Sequence, residues 1–182
     1  DVCSSDLPTV AFAVASSGGA ESATPANLAV NLSGTYPLDV TVNYAVTAGS
    51  ASGSGVDYTL LGTGVLTISS GSTTDNIGIS VNDDALDEAD ETVTVTIANP
   101  VNATLGAATS HTYTITDNDS TPDVYFTSAS QSSVSEAGIL TITAEISAVS
   151  GQDVTVPFTV NAGSTASDPA DYTITASPVT IP

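Results

Sequence analysis

The residues in this chain best equipped for chemistry are its acids, and they come without counter-charges. Twenty Asp and Glu stand against no Lys and no Arg, for a formal net charge of −20. No carboxylate can find an ordinary ion-pair partner, so a group of acids brought together must bind a cation or hold a proton. From residue 8 to residue 119 they number twelve and fall in short bursts: Glu21, Asp57, Asp83-Asp84, Asp87-Glu88, Asp90-Glu91, and Asp117 and Asp119 about Asn118, with Asp39 and Asp75 lying apart. Hard oxygen donors arriving in groups point to a hard divalent cation. Ca²⁺ takes six to eight oxygens in flexible geometry, whereas Mg²⁺ demands a stricter octahedron. Transition metals are disfavoured because neither Cys nor His accompanies the acids.

Catalytic readings find little support. His111 is the only histidine; it is expected at the start of a strand far from the acids, as a structural or surface residue reaching neither metal nor nucleophile. No serine lies in a Gly-x-Ser-x-Gly elbow, and no Lys exists to act as a base. Paired carboxylates can run glycoside hydrolysis, but aromatic residues to hold a sugar make up only 5% of the chain. The expectation is a protein that is not an enzyme. A charge of −20 repels nucleic acid and anionic membrane surfaces alike, so neither is an expected partner. Asn31-Leu32-Ser33 and Asn102-Ala103-Thr104 match the glycosylation pattern, a weak three-residue signal.

The elements that must position the acids can be read from the hydrophobic pattern. With 41% hydrophobic and only 11% charged residues, the chain can build cores and does not resemble a disordered acidic tail. A halophile's acidic coat would be denser in charge. Pro8-Thr9-Val10-Ala11-Phe12 returns as Pro122-Asp123-Val124-Tyr125-Phe126, and Val40-Thr41-Val42-Asn43-Tyr44 returns as Val154-Thr155-Val156-Pro157-Phe158. The same offset of 114 relates Ala48-Gly49-Ser50-Ala51 to Ala162-Gly163-Ser164-Thr165, and Asp57-Tyr58 to Asp171-Tyr172. Shared offsets signal a tandem repeat. It predicts a complete domain over 8–119 and the first half of a second over 122–182. Residues 1–7, Asp1 to Leu7, match one reading frame of a common sequencing adapter and are set aside as an artefact, together with Cys3, the only cysteine.

Short alternating or β-branched runs separated by Gly, Ser, Asn and Asp read as all-β. Strands are expected at about 10–15, 28–32, 40–47, 65–68, 76–81, 92–97 and 112–116. Seven antiparallel strands in a domain of this length fit an immunoglobulin-like β-sandwich. In that arrangement alternate loops emerge at opposite ends. One end receives Glu21, Asp57, Asp83, Asp84, Asp87, Glu88, Asp90, Glu91, Asp117 and Asp119, ten of the twelve acids; Asp39 and Asp75 go to the other. Asp favours turns, which explains any single position but not the segregation. At a separation near 4 Å and an effective dielectric of about 20, each like-charge pair costs on the order of 4 kcal/mol, so the cluster calls for cations.

Taken together, Glu21-Ser22, Val56-Asp57-Tyr58, Asp83-Asp84, Asp87-Glu88-Ala89-Asp90-Glu91-Thr92, Asn99-Pro100 and the closing Thr114-Ile115-Thr116-Asp117-Asn118-Asp119 resemble the Calx-beta module. Such modules occur in the regulatory loop of sodium/calcium exchangers, in an integrin β subunit and in large bacterial surface proteins. The resemblance implies Ca²⁺ ligands at Glu21, Asp57, Asp83, Asp84, Glu88, Glu91, Asp117, Asn118 and Asp119, holding two or more ions. Asp87 and Asp90 are expected to be mostly solvated. Ala85 and Asn118 depart from the fullest acidic pattern, which lowers the charge of the site. In the second copy Glu136 and Asp171 match the first two ligand positions. The implied role is a Ca²⁺-binding structural and adhesive repeat, secreted or at the cell surface, partnered by neighbouring modules and by cell-surface or matrix ligands, with no insertion into a membrane. A regulatory Ca²⁺ sensor of a membrane protein and a metal-free immunoglobulin-like spacer are the alternatives.

Overall fold

The computed structural model describes residues 7–131, 135 and 138–182, and the chain divides into two compact units. Unit 1 comprises the described residues to Ala85 together with Ala89–Asn118; unit 2 comprises Leu86–Glu88 and Asp119–Pro182. Among the described residues no helix is long and apolar enough to cross a membrane.

Unit 1 is a sandwich of two five-stranded sheets. The first sheet contains β1 (Thr9–Phe12), β3 (Ala26–Leu32), β5 (Tyr58–Leu60), β7 (Thr74–Val81) and β9 (Thr104–Leu105), in the order β5-β7-β3-β1-β9. The second contains β2 (Ser16–Ala20), β4 (Val40–Gly49), β6 (Val65–Ile68), β8 (Glu91–Val101) and β10 (Ser110–Thr116), in the order β2-β10-β8-β4-β6. Period-two alternation does what the sequence promised. Val93, Val95 and Ile97 of β8 and Tyr113 and Ile115 of β10 turn inward, against Val10, Phe12, Leu28, Val30, Ile77 and Ile79 of the first sheet. Leu7 also packs against this core, so the seven-residue opening does not stand wholly outside the fold; its first six residues lie outside the described ones.

Among its described residues unit 1 has ten strands against the seven expected: β5 and β9 are additional, and the expected first strand is two. Val10 and Phe12 are buried but Val14 is exposed. After Phe12 the alternation that suits a half-buried strand gives way to Ser, Gly and Ala, with nothing to contribute to the core. The chain leaves the first sheet at Ala13–Ala15 and joins the second as β2. There it pairs in parallel with β10, just as β1 pairs in parallel with β9; the remaining pairings of unit 1 are antiparallel.

The described residues of unit 2 form four short strands in two antiparallel pairs: β11 (Val124–Phe126) with β12 (Ala144–Ile146), and β13 (Val154–Val156) with β14 (Val179–Ile181). Asp87 belongs to this unit and corrects an expectation. It is buried, not solvated. Its carbonyl accepts from Gly151 N–H at 2.9 Å, and its Oδ2 accepts from Ser150 Oγ at 3.0 Å. A carboxylate leaves water at tolerable cost when donors of this kind replace its hydration.

Candidate metal centre

The registers of unit 1 bring the relevant strand ends to one pole. Ala20 pairs with Thr116, Glu91 with Ile115, Gly49 with Val93, Ala26 with Ile79, and Tyr58 with Val81. The loops 21–25, 50–57 and 82–90 and the exit of β10 therefore emerge on the same side. Asp39, before β4, and Asp75, near the start of β7, lie at the other.

Local hydrogen bonds fix each loop. Asp57 folds back on its own turn: its Oδ2 accepts from Ser52 N–H at 2.5 Å, while its N–H donates to Ser52 C=O at 3.0 Å. Asn82, which sequence reasoning passed over, ties this turn to the next loop. Its N–H donates to Asp57 C=O at 2.9 Å and its Nδ2 to Val56 C=O at 2.8 Å. Ser50 and Thr92 exchange hydrogen bonds, each backbone N–H donating to the other's hydroxyl, at 3.3 and 3.0 Å. Gly49 makes this possible. At its φ of 139° a Cβ would lie 2.2 Å from Thr92 O, so only glycine lets β4 come this close to the start of β8. The repeated Ala-Gly-Ser motif was the available signal for this knot, although its purpose was not legible from the sequence.

Within unit 1, Glu21 and Asp84 each direct one carboxylate oxygen to within 4.8 Å of the other. Glu21 is buried and Asp84 exposed. Glu21 N–H donates to Thr116 C=O at 3.1 Å, which ties the buried acid to the end of β10. Asn118 spans two loops: its Oδ1 accepts from both N–H and Oγ of Ser22, each at 3.3 Å, and its Nδ2 donates to Asp83 Oδ1 at 3.2 Å. Its amide oxygen is thus occupied with backbone and hydroxyl donors. Asp90 is exposed, and its Oδ1 accepts from Asp117 N–H at 3.3 Å. Of the nine residues implied as ligands, the geometry groups Glu21 with Asp84 and links Asp83 to Asn118. Asp57 is held by its own turn, Glu88 and Asp119 belong to unit 2, and Glu91 opens β8 one register step from the end of β10. In the second copy, Asp171 closes a turn with Ser167, while Glu136 lies outside the described residues.

Two oxygens on one Ca²⁺ at about 2.4 Å are at most about 4.8 Å apart, so the pair fits within a single coordination shell, and hard carboxylates suit that ion. Two anionic oxygens at this spacing repel by about 3–4 kcal/mol at an effective dielectric of about 20, a cost that a divalent cation reverses in sign.

His111 is a structural residue, one of the two roles expected for it. Its Nε2 lies 2.8 Å from Ser17 Oγ, and its Nδ1 lies 2.8 Å from Val14 C=O. Only 2% of the residue is exposed, which closes the ring to any substrate.

The comparisons with known proteins agree with this architecture. The Calx-beta domain model matches residues 4–119, a span that takes in Glu21, Asp84 and Asp119, and again 117–180. The crystal structure of the apo-form Calx CBD1 domain is 25% identical, with a TM-score of 0.54 over 62% of this chain and 99% of its own. That of the calcium binding domain CBD12 of CALX1.1 is 26% identical, with a TM-score of 0.54 over 65% of this chain and 50% of its own; this chain thus spans about half of that relative. The Calx CBD2 domain, at 17% identity and a TM-score of 0.52 over 60% of this chain and 86% of its own, shares the fold. No match is found among curated protein sequences. With an immunoglobulin-like sandwich, an acidic pole and two family-model matches that together span most of its length, the chain belongs to the Calx-beta domain family.

Proposed function

We propose that the first module binds Ca²⁺ at its acidic pole and serves as a structural and adhesive repeat of a secreted or cell-surface protein, where bound Ca²⁺ rigidifies the tandem array. The observation that carries the reading is the convergence of Glu21 and Asp84 in a chain with no Lys or Arg to neutralise them. These two supply the first ligands. Asp57, Asp83, Glu88, Glu91, Asp117 and Asp119 complete the donor set for two or more ions, and Asn118 joins it by releasing Ser22. Likeness to a domain described as calcium binding supports the same reading.

Calorimetric titration with CaCl₂ tests it. Extracellular modules bind at about 10⁻⁴–10⁻³ M, so 10 mM Ca²⁺ is expected to add about 1.4–2.7 kcal/mol to the stability of the module. A flat titration with no rise in melting temperature defeats the reading in favour of a metal-free spacer. Likeness to the Calx CBD1 and CBD12 domains favours a second reading, a regulatory sensor within a membrane protein. Affinity separates the two, because sensors bind at about 10⁻⁷–10⁻⁵ M.

A further inference from the structure

β2 has few means of holding itself in place. Ser16-Ser17-Gly18-Gly19-Ala20 offers no branched or aromatic side chain to bury, and Gly and Ala are poor strand formers. As an edge strand it is paired on one side only, with β10. Yet the residue that follows it is Glu21, the buried acid of the cluster.

Outside the ladder itself, β2 is anchored at both ends. At the acidic end Glu21 N–H donates to Thr116 C=O. At the other end stands His111, on β10, with its ring tilted against Phe12 at a centroid distance of 5.5 Å. A carbonyl oxygen can only accept, so Nδ1 carries the proton and donates to Val14 C=O; Nε2 then accepts from the Ser17 hydroxyl. One buried ring thus grips the chain on both sides of the crossover from β1 to β2. It does so from β10, the strand against which β2 must take its register. A slip of one residue in that register sends alternate side chains to the opposite face. Glu21 would then leave Asp84.

We propose that His111, acting through Ser17, is a positioning residue that fixes the register of β2 and so seats Glu21 in the cation cluster; the inference rests on the Ca²⁺ reading above. The clamp works along the strand and not by contact, since Ser17 and Glu21 are about 13 Å apart at about 3.3 Å per residue.

The test compares Ser17→Ala and Ser17→Thr in the full chain, reading the Ca²⁺ dissociation constant and native-state amide hydrogen exchange. Ser17 is exposed, so neither change threatens the core. Ser17→Ala is expected to raise the dissociation constant about threefold to tenfold, the factor that one hydrogen bond commands. It should speed exchange at the Glu21 amide by a similar factor while leaving Val93 and Val95 of β8 unchanged. Ser17→Thr keeps the hydroxyl and is expected to restore both values. Unchanged Glu21 exchange in Ser17→Ala overturns the clamp. Faster exchange with an unchanged dissociation constant overturns its role at the cluster. A wild-type chain that binds no Ca²⁺ defeats the cation reading alone, and the exchange comparison still decides the clamp.

Discussion

Two stretches of nearly the same sequence meet different fates in this molecule. Val10 and Phe12 of β1 are 0% and 3% exposed, whereas Val124 and Phe126, their counterparts in β11, are 40% and 63% exposed. The alternation is identical, and both segments form strands. The difference lies in what faces them. β1 shares a buried core with Val93, Val95 and Tyr113 of the second sheet, while the described residues of unit 2 form two pairs of short strands and contribute no residue to that core. The turns behave otherwise. Ser52 N–H donates to Asp57 Oδ2 in one copy, and Ser167 N–H to Asp171 Oδ2 in the other at 2.8 Å. Bonds between residues a few positions apart form in either setting, but burial needs a distant partner sheet.

The sharpest way to break this comparison is to cut the same side chain from both copies. Phe12→Ala is expected to cost about 3–5 kcal/mol in urea unfolding, and Phe126→Ala less than about 1 kcal/mol. Equal costs would mean that unit 2 buries its aromatic residue in solution. Next in size is the repeated glycine. Gly49→Ala forces a Cβ against Thr92 O at a positive φ and is expected to cost about 1–3 kcal/mol. Gly163→Ala meets its nearest atom at 3.4 Å and is expected to stay within about 0.5 kcal/mol. Thermal melts of the two variants check both.

The cation site divides the copies in the same way. Asp84→Asn is expected to abolish most of the 1.4–2.7 kcal/mol that 10 mM Ca²⁺ adds, because it removes one of the two converging charges. Asp171→Asn is expected to leave the Ca²⁺ dependence of the melt unchanged. Loss of the Ca²⁺ response in the second variant would place a working site in unit 2.

What was legible in the sequence follows the same division between local and distant. Period-two runs such as Thr92 to Ile97 announced the strands, and the loops between them announced an acidic pole, because both are local patterns tied to chain direction. The break of the first strand at Ala13–Ala15 was not legible. It depends on β10 offering an edge about a hundred residues later, and on His111 gripping Val14 and Ser17 from there. Asp87 was misread for the same reason, since the donors that make its burial tolerable lie at Ser150 and Gly151. Within the candidate site, the residue types were readable but their sorting was not. Which carboxylates converge depends on loop conformations held by Asn82, Ser22 and Ser50, whose short polar side chains carry no signal of their own.

The smallest expected effect tests desolvation by an opposing sheet without touching the site. Burial pushes the Tyr113 phenol above its ordinary value of 10.0, since the charged phenolate is the form that suffers inside the sandwich. The folded state therefore holds this proton more tightly than the unfolded chain does. The contribution is fully present below pH 10, and stability is lost as the pH rises from there through the folded value, because the unfolded chain ionises first. Urea midpoints taken from pH 8 upward should fall on the alkaline side in the wild type, and Tyr113→Phe should flatten part of that fall. A slope identical in the two proteins would assign the alkaline loss to other groups and remove Tyr113 from the account.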